Sequence, residues 1–268
     1  MLHFIILRIS IAERLVYRVD FALGTLMRFL PMVTQIFLWQ AVFQGMAGSG
    51  KSVAGYSFHQ MIAYYLLTMV GRAFSSMPGL AGGIARDIRD GTIKKYLLQP
   101  VDMLSFLLMG RLAHKLVYYA VAIAPFALVF WLCRGFFGGW PDAVTLAAFA
   151  ASLVMGFLLG YFLEATLGMI GFWFLEVNSL LFIYMLVSFF FSGQMFPPEL
   201  MPSFWPALMK AIPLQYLAYF PAAVFLHKVT GAALARGLIV EALWVLFFYM
   251  SARTLFHYGV RRYSAFGG

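Results

Sequence analysis

The chain has 268 residues, of which 63% are hydrophobic and only 11% charged, with a mean hydropathy of +0.87. An ordinary soluble domain is about 25% charged, so these side chains are too apolar to cover a soluble fold of this size. A soluble enzyme, a nucleic-acid-binding domain and a disordered chain are excluded, leaving a polytopic membrane protein. The net charge of +9 comes from Lys and Arg at the ends of apolar runs, not from one polar face. That is the pattern of basic loops beside membrane spans. The single cysteine, Cys133, allows no internal disulfide and no thiolate metal cluster.

Residues 1–20 place Phe4, Ile5, Ile9, Ala12, Leu15, Val16 and Val19 on one helical arc, and His3, Ser10, Glu13, Arg14 and Arg18 on the other. Arg8 interrupts the pattern. The segment predicts a helix lying in the membrane surface, or else a cytoplasmic extension of the first span. Its charges and the lack of a small-residue cleavage site argue against a signal peptide.

A crossing helix needs about 20 apolar residues. Charge-free runs occur at 29–50, 52–71, 116–133, 143–163 and 177–198, and a sixth at 237–252 is broken only by Glu241. They predict six transmembrane helices near 25–44, 57–77, 111–132, 143–165, 176–194 and 234–256. The runs are continuous rather than alternating, so a closed β-barrel is excluded. The predicted fold is all-α and polytopic, a single membrane domain over 1–268. With the N-terminus cytoplasmic, 14 of the 19 Lys and Arg fall on the inner side. This predicts that both termini are cytoplasmic.

Between the first two spans, residues 45–52 match the phosphate-binding pattern G-x-x-x-x-G-K-[ST] at Gly45, Gly50, Lys51 and Ser52. That motif needs a buried strand before it and a helix opening at its Lys. Here a membrane span precedes it, and no strand ending in a magnesium-binding Asp follows, so it reads as a flexible turn. His3, His59, His114, His227 and His257 never pair at metal-ligand spacing. No zincin or serine-hydrolase motif is present. Neither a metal nor a cofactor is expected on this chain, and no enzymatic activity.

Residues 78–102 predict a cytoplasmic loop with a Gly-rich start and dense charge. Within the spans, Arg72 either lines a pathway or marks the inner end of the second span. Glu164 and Glu176 flank the fourth-to-fifth turn, either receiving a partner's basic residues or simply solvated. Glu241 is the acid deepest in a span, as half of a pair with Arg236 or as a proton relay. Ala148, Ser152, Gly156 and Gly160 recur every four residues and predict close helix packing, within or between subunits. Residues 193–233 carry six prolines and yet are too apolar for a free loop. They predict short helices dipping back into the membrane from outside, where protein buries their backbone.

The loop reads ARDIRDGTIKKYLLQPVD, with Gly91, Ile93, Leu97, Leu98 and Pro100 in the pattern G-x-[IL]-x-x-x-L-L-x-P. The outer segment carries Ser192, Gly193, Pro197, Pro202, Pro213 and Pro221. In this order, with six spans around them, these motifs resemble the bacterial ABC-2-type permeases over nearly the whole chain. The resemblance implies the membrane subunit of an ATP-driven exporter in the bacterial inner membrane. It implies that two permeases, identical or paralogous, form the substrate pathway. Separate ATP-binding subunits would hold ATP and magnesium. It further implies that the loop couples to those subunits through Ile84, Arg86, Asp87, Arg89, Asp90, Gly91, Lys94 and Tyr96. The outer helices would cap the pathway. The alternative from the residues alone is an ion-coupled secondary transporter using Glu241 or Glu164. A lipid-acting membrane enzyme would need a His/Asp/Glu cluster that the sequence lacks.

Overall fold

The computed structural model describes residues 27, 29–46, 52–174 and 176–263. The amphipathic segment 1–20 and the Gly50 and Lys51 of the phosphate-loop pattern lie outside the described residues. Helices stand at all six predicted spans: α1 (Leu30–Gly45), α2 (Phe58–Ser75), α5 (Met103–Leu132), α6 (Ala143–Met169), α7 (Asn178–Phe191) and α10 (Gly231–Arg262). Among them α5, α6 with its short 3-10 continuation, and α10 are long and apolar enough to cross a membrane. Among the described residues there is no β-strand, only an isolated antiparallel bridge between Val53 and Tyr56.

Local chemistry sets the boundaries. Ser57 opens α2 as a capping box: its Oγ accepts from the Gln60 amide at 3.2 Å, and Gln60 Oε1 accepts from the Ser57 amide at 3.3 Å. The helix that follows the phosphate-loop pattern therefore opens at Phe58, six residues past Ser52. Asp142 Oδ2 accepts from the amides of Val144 and Thr145 and opens α6. Asp102 Oδ2 accepts from the Ser105 amide at 2.8 Å. That cap starts α5 at Met103 rather than at residue 111. In turn α10 overruns its predicted span at both ends, and α7 is a turn shorter than predicted.

The predicted loop 78–102 contains α3 (Leu80–Arg89) and one turn of helix, α4 (Lys94–Leu97). The proline-rich segment folds as a 3-10 turn (Pro198–Leu200), α8 (Trp205–Ala211), a second 3-10 turn (Pro213–Leu217) and α9 (Tyr219–Phe225). Proline sits in the first turn of the first three of these, where its missing N–H costs nothing.

Helix α6 is the axis, touching α2, α3, α9 and α10. One core gathers Tyr64 and Leu66 of α2, Leu159 of α6 and Tyr219 and Ala222 of α9. A second gathers Ile84, Ile88, Ile93, Met103, Tyr161, Met169 and Ala252. Close approach to α6 depends on its small residues. A Cβ on Gly160 would lie 2.0 Å from the Ser75 carbonyl oxygen, and one on Gly156 3.1 Å from that of Tyr216. Gly160 and Gly156 thus pack inside the subunit, against the end of α2 and the second 3-10 turn, while Ser152 is fully buried beside Glu241 of α10.

Candidate functional site

Helix α3 is two-faced. Leu80, Ala81, Ile84, Ala85 and Ile88 are buried, at the three- and four-residue spacing of one helical face. Their neighbour is α6, where a Cβ on Gly168 would lie 2.7 Å from the Ala81 carbonyl oxygen and 2.9 Å from the Ile84 Cβ. Ile84, only 2% exposed, anchors the loop rather than facing outward. The opposite face leaves Arg86, Arg89 and Asp90 exposed, followed by Lys94 and Lys95 on α4. Asp87 is turned into the loop: it accepts from Thr92 Oγ1 at 2.7 Å and pairs with Lys95 Nζ at 3.0 Å. Gly91 supplies the left-handed turn at φ +76° that lets the chain double back. Ile93 is fully buried, and Tyr96 is half-buried with its ring 5.6 Å from that of Phe106. So Arg86, Arg89, Asp90 and Lys94 present outward, while Ile84, Asp87, Gly91 and Tyr96 build the platform that holds them. Beyond Lys95, Leu98 projects at 82% exposure.

The far end of the loop is tied down. Asp102 accepts from Arg253 of α10 while also capping α5. Arg253 lies over the Tyr249 ring, 5.5 Å from its centre. Burial pushes the Asp102 carboxyl up, but the Ser105 hydroxyl and amide and the Arg253 guanidinium outweigh it and hold the group below the ordinary carboxylate range.

Among the polar residues within spans, the structure brings together two that the sequence left apart. Arg72 of α2 and Glu164 of α6 are both half-buried and act on each other electrostatically, with Tyr184 of α7 beside them. Arg111 adds a second positive charge near Glu164 and donates to the Pro78 carbonyl at 2.8 Å. Glu176 is exposed, and its Oε1 accepts from the Asn178 amide at 2.7 Å, opening α7. The expected pair of Glu241 with Arg236 is not formed. Five residues of helix turn the two side chains about 140° apart, so Arg236 is exposed while Glu241 is fully buried. Among the described residues its polar neighbours are the Ser152 hydroxyl and Tyr216.

A third cluster escaped the sequence reading. Glu199, in the first 3-10 turn, accepts from Tyr219 Oη at 2.5 Å and Tyr56 Oη at 3.5 Å, and pairs with Lys210 Nζ at 3.4 Å. Tyr64 donates to the Gly193 carbonyl, and Tyr65 donates to that of Met195 at 2.8 Å. Burial, then the Glu199 charge, pushes the Tyr56 phenol well above its ordinary value, so it remains a donor. These bonds fasten the proline-rich segment to α2. The available signal was that Glu199 is the lone acid in residues 193–233.

Among the described residues no three His, Cys, Asp or Glu side chains gather as a metal site would need. The model of one protein family, described as ABC-2 family transporter protein, matches residues 29–267, which takes in the charged loop, the proline-rich segment and all six long helices. A search of curated proteins gives no match. A chain of this family is a multi-pass component of membrane transport rather than itself an enzyme, and works with ABC ATP-binding subunits. By that match and by its apolar helices, the chain belongs to the ABC-2 family of transporter proteins and is the permease of an ABC transporter.

Proposed function

We propose that this permease is the membrane half of an ATP-driven exporter of the bacterial inner membrane, with both termini cytoplasmic. Two such subunits, identical or paralogous, form the substrate pathway. Two ATP-binding subunits supply ATP and magnesium and dock under α3 and α4. The observation that carries this reading is the two-faced construction of α3. Its apolar side is fixed to α6, and Arg86, Arg89, Asp90 and Lys94 stand outward on a platform held at its far end by Asp102 and Arg253. A charged, rigidly backed surface can pass a push from a soluble subunit into α6 and α10 without deforming. At the other end, the Pro198–Phe225 elements cap the pathway outside and release substrate outward, anchored through Glu199.

The test is purification of the tagged protein from its own host in mild detergent, with co-purifying subunits identified by mass. An ATP-binding subunit at near-equal stoichiometry, lost when Arg86, Arg89 and Asp90 are replaced by Ala, is the expected result. A second permease in the same complex distinguishes a heterodimer from a homodimer. The rival reading, a secondary transporter driven through the buried Glu241, requires a chain that purifies alone and transports in proteoliposomes without ATP. That outcome would overturn the docking proposal.

A further inference from the structure

We propose that the C-terminal end of α10, together with α4, forms a binding site for an anionic phospholipid. The proposal depends on α10 crossing the bilayer and not on any ATP-binding partner. At 1.5 Å per residue a helix of 32 residues is about 48 Å long, against a hydrocarbon core of about 30 Å. So α10 overruns the core. Arg253, Arg261 and Arg262 mark the end at which it leaves.

Arg253, His257 and Arg261 are spaced by four and share one face of the helix. Phe256 and Val260, also four apart, form the adjoining apolar stripe. Leu97 comes across from α4 and completes a recess of about 490 Å³ lined by these six side chains. Its floor is therefore apolar, and its rim carries three nitrogen donors. Arg253 is committed to Asp102. His257 and Arg261 are exposed and form no ion pair among the described residues.

A ligand that satisfies both parts has an anionic head and an apolar tail. A free phosphate would gain nothing from Leu97, Phe256 and Val260. A zwitterionic lipid would bring its own ammonium towards Arg261. An anionic phospholipid of the leaflet at this end, cytoplasmic in the orientation proposed above, places its phosphate against Arg261 and His257 and its first acyl carbons on the floor. The bound lipid then bridges the charged loop to α10 beside the Asp102–Arg253 tie.

The experiment is native mass spectrometry of the full chain in mild detergent, titrated with phosphatidylglycerol or with phosphatidylcholine. The parent is expected to retain phosphatidylglycerol about tenfold better. The double variant His257→Gln/Arg261→Gln is expected to lose that preference, since the Arg261 cation near an anionic head is worth about fivefold and the His257 ring N–H adds a hydrogen bond to the phosphate. Arg236→Gln, an exposed cation at the opposite end of the same helix, is expected to keep it. The double variant His257→Lys/Arg261→Lys supplies a cationic donor at each position and should restore retention, which separates loss of the site from loss of the fold. Equal retention of the two lipids by the parent, retention by the Gln double variant, or no recovery in the Lys double variant overturns the proposal. So does displacement by glycerol phosphate at the same concentration as the lipid, because the apolar floor would then contribute nothing.

Discussion

Asp102 serves two helices at once: it caps α5 through the Ser105 amide and accepts from Arg253, 151 residues further along, on α10. The end of the charged loop, the start of one long helix and the last turns of another therefore meet at a single carboxylate. Any force on α3 and α4 reaches α10 through this point as well as through α6.

Replacing Asp102 separates its two roles. Asp102→Ala removes both the cap and the ion pair. The cap is worth about 1 kcal/mol, and the ion pair, about a third exposed, adds at most about 0.5 kcal/mol. Asp102→Ser keeps a capping oxygen without the charge and should lose only the smaller part. Thermal unfolding in mild detergent checks this. Equal losses in the two variants would mean that the cap contributes nothing.

The same group gives a pH dependence of known sign. Its folded-state carboxyl lies below the ordinary range, so its stabilisation is complete above the unfolded value, about 3.9 for Asp. It is lost as pH falls through the folded value. The melting temperature should be insensitive to this group between about pH 5 and 7 and should fall below about pH 4. In Asp102→Asn the acid fall should be shallower. It should not vanish, because Asp142 is held low in the same way by the Thr145 hydroxyl and amide. An acid limb identical to the parent's would exclude Asp102 as its source.

Gly160 makes a sharper demand. Its Cβ position lies 2.0 Å from a backbone oxygen, that of Ser75, which no rotamer change can move. Gly160→Ala should therefore force α2 from α6 and cost about 1–3 kcal/mol or more. Gly110, with nothing within 4 Å of its Cβ position, should accept Ala without loss. Unfolding of the two variants side by side is the measurement. A neutral Gly160→Ala would mean that α2 and α6 can part at this point without loss of stability.

Where the apolar helices stand was legible in the sequence because a long apolar run has few alternatives in a membrane; three of the six are long and apolar enough to cross it. The loop was legible as a charged interval, but not its internal order. Nothing in ARDIRDG distinguishes Asp87, which turns inward to Lys95, from Arg86, which turns out; only the packing of Ile84 and Ile88 on α6 sets that phase. The Glu241–Arg236 expectation failed on angle, since nearness in sequence is not nearness on a helix surface. Arg72 and Glu164 could not be paired from sequence because they lie on different helices, and their meeting depends on how closely α2 and α6 approach. The Glu199 cluster was beyond reach for the same reason, since Tyr56 is 143 residues away.

That cluster gives a direct test of what holds the proline-rich segment in place. Glu199 receives two phenol hydroxyls and the Lys210 ammonium. Glu199→Ala leaves Tyr56 and Tyr219 without their acceptor, and losing a charged acceptor of buried donors costs about 1–3 kcal/mol. If that cost is felt as opening of α8, a factor of about five or more in opening follows. Met209, fully buried in α8, reports it. In a Cys133→Ser background, which removes the single native thiol, Met209→Cys should react slowly with a polar maleimide. With Glu199→Ala added it should react at least about fivefold faster, and with Glu199→Gln at an intermediate rate, since the amide keeps one acceptor oxygen. Unchanged labelling would mean that α8 is held by its apolar contacts alone, and that Glu199 anchors nothing outside its own turn.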